Sequence, residues 1–163
     1  MTTIEAVDPV REAEGLGAVL HACVLDGAGV NFVFPFAFEE AVRYWEGREG
    51  WIVLAAREAG RIVGTVSLIP AGQPNQPHRA DVAKMLVHPD ARRRGVARAL
   101  MHRVEATASD MGRTLLILDT EAGSDAEGLY RSMGYVAFGT VPDFALKASG
   151  EEFVAATFYY KRL

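Results

Sequence analysis

The sequence predicts an α/β fold in which helices pack on the faces of one mixed sheet. Three observations carry this expectation. Trp51–Arg57 and Arg61–Ile69 are rich in β-branched residues and flank Glu58-Ala59-Gly60, a hairpin signal. Ala97, Leu100, Met101, Val104 and Ala108 recur at helical spacing. Thr114–Leu118 reads as a continuous apolar run, the pattern of a strand buried on both faces.

The remaining elements follow in order. Thr3–Val7 is a short strand. Asp8-Pro9 places an N-cap before a proline at the first helical position and opens a helix toward Val24. Gly15 and Gly17 weaken that helix by about 1 kcal/mol each relative to alanine. Asp26-Gly27-Ala28-Gly29 is a turn, and Phe38–Trp45 forms a second short helix. Pro70–His78, with three prolines and a glycine, is a loop. Asp81–Val87 is a strand whose continuation Pro89 limits, and Gly112 lies just past the long helix that follows. Ser124-Asp125-Ala126-Glu127 is a capping-box pattern for a helix through Met133, stopped by Gly134. Tyr135–Phe138 and Val154–Lys161 supply the last strands, giving the order β-α-α-β-β-β-α-β-α-β-β.

At 163 residues the chain has the size of one domain, 1–163, with its own core. A net charge of −4 gives no electrostatic reason to expect a nucleic acid or an anionic membrane as partner, so any anion site is local. The single Cys23, inside the apolar run Leu20–Leu25, excludes an intrachain disulfide and reads as a buried structural thiol. Glu5, Asp8, Glu12 and Glu14 do not fit a signal peptide, and no apolar run approaches the roughly 20 residues that span a bilayer. A cytoplasmic protein is expected. His78, His88 and His102 lack metal-ligand spacing, so no metal is expected either.

The informative unit is the strand Asp81–Val87, the loop His88–Arg94 and the helix opening at Gly95. A helix N-terminus offers unpaired N–H groups and about half a positive charge, which suits a pyrophosphate. Gly95 and the small Ala97 permit close approach, while Arg92, Arg93, Arg94 and Arg98 add forked donors. Neither a Walker loop nor a three-glycine dinucleotide fingerprint is present.

Arg92-x-x-Gly95-x-Ala97, after an apolar strand ending Val87-His88-Pro89, resembles the cofactor loop of the GNAT N-acetyltransferases. Ala126, Tyr130 and Gly134-Tyr135 resemble the family's later motif, although Gly123 stands where the family often has asparagine. Leu118–Ser124 and His78-Arg79-Ala80 look especially like the tabtoxin-resistance branch, whose members acetylate a small amino-acid-like toxin. The resemblance implies the GNAT acyl-CoA N-acyltransferase fold, with a mostly antiparallel sheet, and acetyl-CoA as co-substrate. Its phosphates would meet residues Arg92, Arg93, Arg94, Gly95, Val96, Ala97 and Arg98. Its pantetheine arm would run along the backbone of Met85, Leu86 and Val87, with Ser124 replacing the missing asparagine. Tyr130 would protonate the departing thiolate, and Asp81 and Asp119 would converge on the amine.

The acceptor this implies is the primary amine of a small molecule. Acetylation of protein N-termini or lysines and a noncatalytic CoA-binding module remain as alternatives, and a homodimer is compatible with the reading. Phe32, Phe34, Phe36, Phe38, Tyr44 and Trp45 form either an aromatic lid on the acceptor or part of the core.

Overall fold

The computed structural model describes residues 1–163. Seven strands form one sheet in the order β1-β2-β3-β4-β5-β7-β6. They are β1 Thr3–Val7, β2 Ile52–Glu58, β3 Arg61–Pro70, β4 Arg79–Val87, β5 Leu115–Glu121, β6 Val136–Leu146 and β7 Phe153–Arg162. The helices are α1 Ala13–Leu25, α2 Phe38–Glu46, α3 Val96–Asp110 and α4 Asp125–Ser132. Every neighbouring pair of strands is antiparallel except β4 and β5. A parallel pair needs a crossover, and α3 provides it.

The sheet separates two apolar layers. On one side α3 and α4 pack Leu100, Met101 and Val104 against Leu54, Val82 and Leu116. On the other, α1 and α2 pack Leu16, Leu20 and Trp45 against Val53 and Leu86. No helix is long and apolar enough to cross a membrane.

The expected order of elements holds; three boundaries move, and the capping of α4 differs. Asp8 does cap a turn, its Oδ1 accepting the N–H groups of Val10 (2.9 Å) and Arg11 (3.3 Å), but the regular helix starts only at Ala13. At the start of α4 the capping box is replaced: Ser124 makes no cap bond, and Glu127 reaches past it to the Gly123 N–H at 3.1 Å. β5 continues to Glu121 instead of ending near Leu118, so Asp119 lies within it. β6 runs on to Leu146 because it is an edge strand, where a register shift between Val141 and Ala145 absorbs Pro142 and Asp143. The β2–β3 hairpin closes through Ala59 (φ 46°) and Gly60 (φ 80°), the geometry of a type I′ turn.

Gly17, which weakens α1 as an isolated helix, is explained by its neighbour. A Cβ there would lie 3.1 Å from the Val42 backbone N, so the absent side chain lets α2 press on α1. Gly128 in α4 has open space. Gly17→Val should therefore lower the unfolding free energy in urea by about 1–3 kcal/mol. Gly128→Ala should raise it by roughly 0.5–1 kcal/mol.

Candidate functional site

A cleft opens where β4 and β5 part. Their parallel pairing lasts only from Arg79 to Asp81 against Leu115 to Ile117. Beyond it β4 keeps to β3 with one extra residue, since Ser67 faces Ala83 and Thr65 faces Leu86. Lys84, at φ 50°, lies in this bulge. The resulting space measures about 930 Å³ and is walled by β4 from Val82 to Val87, the start of α3, the end of β5 and one face of α4. The α1–α2 loop crosses its mouth, with Gly29 so close to Glu121 that a Cβ would lie 2.8 Å from Oε2.

The loop before α3 is built as a row of donors. Arg93 (φ 62°) and Gly95 (φ 81°) take left-handed backbone on either side of Arg94, and such alternation turns successive N–H groups to one concave side. The last N–H to find a partner before the helix is that of Arg92, on the Pro89 carbonyl, and the next is that of Ala99, on the Gly95 carbonyl at 3.0 Å. Arg93 to Arg98 thus present unpaired N–H groups, reinforced by the dipole of a 15-residue helix. Gly95 is required by its backbone angle, because a Cβ there would meet nothing within 4 Å.

These arrangements agree with what the chain is similar to. A model of the Acetyltransferase (GNAT) family matches residues 21–135. This chain belongs to that family. An uncharacterized N-acetyltransferase in the hisH-hisA intergenic region of Azospirillum brasilense is 32% identical over 72% of this chain and 74% of its own. The fold matches that of yncA from Salmonella typhimurium, solved with its cofactor acetyl-CoA, at a TM-score of 0.82 and 20% identity over 100% of this chain and 94% of that one. It also matches a ribosomal-protein-alanine N-acetyltransferase from Brucella melitensis, at a TM-score of 0.82 and 24% identity over 99% of both chains.

Within this GNAT domain the arginines serve different ends. Arg92 pairs with Asp26, and its Nε donates to the Val87 carbonyl at 3.2 Å. Arg93 is exposed beside the cleft. Arg98 lines the cleft and donates to the Ser132 hydroxyl at 2.8 Å. Arg94 departs from expectation: it is drawn away to Glu58 at the β2–β3 turn, and only its backbone belongs to the donor row. Met85, Leu86, Val87, Val96 and Ala97 all line the cleft, as does Ser124, whose hydroxyl lies 3.3 Å from that of Thr120.

The two aspartates are divided. Leu118 and Val82 face the α3 layer, so by strand alternation Asp119 and Asp81 share the opposite, α1–α2 side. Asp119 lines the cleft. Asp119 is exposed to the cleft, yet partial desolvation by the cleft walls raises its pKa above the usual aspartate value; Lys84 opposes the rise and the Asp81 charge adds to it. Asp81 does not line the cleft and is held by Arg79 at 2.6 Å. On the α4 side, Tyr130 is buried, lines the cleft, and packs its ring on Tyr135 and Tyr159. Its pKa is pushed up by burial first and by Asp119 second.

Lys84 and Asn31 carry no signal in the sequence, and Glu127 reads there only as part of a capping box. Glu127 accepts the Tyr159 hydroxyl at 2.9 Å and the Gly123 N–H, pinning the start of α4 to β7. Burial alone would raise its pKa, but the Tyr159, Gly123 and Thr157 donors hold it below the usual glutamate value. The aromatic segment is split between both expectations: Phe36 and Trp45 are core, whereas Phe34 and Phe38 are exposed. No group of three or more His, Cys, Asp or Glu side chains could hold a metal.

Cys23 is buried under the cleft, its thiol donating to the Val87 carbonyl at 3.3 Å, and burial raises its pKa. A thiol reagent at neutral pH should leave it untouched in the native protein and titrate one thiol per chain in urea. Rapid native reaction would contradict this placement.

Proposed function

We propose that this acetyltransferase transfers the acetyl group of acetyl-CoA to the primary amine of a small, amino-acid-like compound. The observation that carries the donor half is the row of unpaired N–H groups from Arg93 to Arg98 at the end of the cleft. A pyrophosphate there would replace lost intrahelical partners with charged acceptors, and the flanking Arg93 and Arg98 would add cations. The binding of acetyl-CoA by yncA, a protein of the same fold, supports the same reading. The acceptor half rests on Asp119 and on the resemblance of residues 118–124 and 78–80 to the tabtoxin-resistance branch. Residues 1–163 act as one domain in this reading, and the reduced Cys23 suits the cytoplasm.

Acetyl-CoA supplies an activated thioester, and the chain must then manage two protons. An alkylamine of pKa about 10 is mostly protonated at neutral pH and needs an acceptor for its proton before it can attack. Asp119 is that acceptor. Its raised pKa brings it nearer to working pH than an ordinary aspartate. Asp81, held by Arg79, acts through its charge on Asp119.

Tyr130 serves the departing sulfur. Its raised pKa keeps the phenol neutral, so it donates a hydrogen bond. A thiolate formed in the same low-dielectric cleft becomes more basic as well, which allows the proton to pass.

A second reading is favoured by one observation, the similarity to the Brucella ribosomal-protein-alanine enzyme. Thiol release from acetyl-CoA with a panel of small amines and short peptides separates the two. Small amines should support turnover and peptides should not.

Gly95→Glu should abolish acetyl-CoA binding in calorimetry, because a carboxylate would occupy the donor row in a strained backbone. Normal affinity would sink the donor assignment. Asp119→Asn should lower kcat by roughly 10²- to 10⁴-fold. Wild-type kcat/KM should rise with pH as Asp119 loses its proton. In Asp81→Asn this acid limb should move to lower pH, since removing a like charge lowers the Asp119 pKa.

A further inference from the structure

Lys84 lies where β4 changes face. Ala80 and Val82 belong to the α3 layer, yet Leu86 belongs to the α1–α2 layer. An unbroken strand would send all three to one side, because they are even-spaced. The bulge at Lys84 reverses the phase, at the cost of a left-handed backbone on a residue with a side chain. The lysine thereby reaches the α1–α2 side of the cleft. Its Nζ lies 2.5 Å from Asn31 Oδ1 and 5.7 Å from the centre of the Tyr44 ring.

The two cations of this corner touch no carboxylate, and Asp119 acts on Lys84 only from across the cleft. Lys84 forms no ion pair within 4.0 Å, and neither does Arg48, which stacks on the other ring contacts of the corner: 4.2 Å from the Tyr44 centroid and 4.9 Å from that of Trp51. Arg48 Nε is buried with no hydrogen-bond partner. Burial lowers the Lys84 pKa, as does Arg48, while Asp119 alone raises it. A half-buried cation in a chain of net charge −4 is costly unless an anion completes it.

Lys84 and Asp119 face the same cleft from its two parted strands. We propose that Lys84 is a specificity residue that binds the carboxylate of the acceptor while Asp119 receives its amine. Asn31 holds the ammonium in place, and Tyr44 forms an apolar wall beside it. The pair reads a zwitterion: one end of the acceptor meets a cation, the other a carboxylate. Neutral amines of the same size would lose the first contact and keep the second. This inference rests on the small-amine reading above.

The test compares matched acceptors, an amino acid and its carboxamide, by thiol release from acetyl-CoA. In the wild type kcat/KM for the acid should exceed that for the amide by roughly tenfold or more. Lys84→Met should bring this ratio close to one, and Lys84→Arg, which keeps the charge, should restore most of it. Acetyl-CoA affinity, read by calorimetry, reports whether each variant is folded. Equal use of acid and amide by the wild type would overturn the inference without any variant, as would a ratio unchanged in Lys84→Met. If no amine of either kind released thiol, the small-amine reading itself would fail.

Discussion

The structure depends on how early β4 and β5 let go of each other. Three paired residues on each strand hold the sheet together, and everything after Asp81 and Ile117 is separation. A sheet that stayed paired would bury Asp119 against a neighbouring strand and close the cleft. The bulge in β4 sustains the separation, because the extra residue keeps β4 bound to β3 while its direction and phase change. Both sides of the cleft follow. The α3–α4 side holds the donor row and Tyr130, and the α1–α2 side holds Asp119 and Lys84.

Several contacts tie the loops and α4 to this frame. Arg92 joins the donor loop to Asp26 at the start of the α1–α2 loop through an ion pair. The Phe34 N–H donates to the Ala148 carbonyl at 2.7 Å, anchoring the same loop to the β6–β7 turn. Glu127 does the same for α4 through Tyr159. Three polar contacts thus hold the donor loop, the α1–α2 loop and α4 around the cleft.

Much of this was legible in the residues. Arg92-x-x-Gly95-x-Ala97 after an apolar strand marks the donor loop, since glycine at a left-handed position and a helix start leave a local signature. Ala126 and Tyr130 are legible for the same reason, being spaced along one helix. Lys84 was not. A strand pattern assumes strict alternation, and a one-residue bulge is invisible until the partner strand is seen. The fate of Arg94 was equally hidden, because Glu58 approaches it only through the fold. Asp81 and Asp119 look alike in sequence, and only the Arg79 pairing and the cleft distinguish them. The extent of β6 is not legible, because it continues through Pro142, which only an edge position tolerates.

The proposed function seats the phosphates on backbone donors and not on the arginine side chains. Amide chemical shifts of the nitrogen-15-labelled protein, followed during titration with coenzyme A, test it most directly. The N–H resonances of Arg93 to Arg98 should move most, toward the strongly hydrogen-bonded range, and should still do so in Arg93→Ala and Arg94→Ala. Binding that leaves those six resonances in place would contradict it.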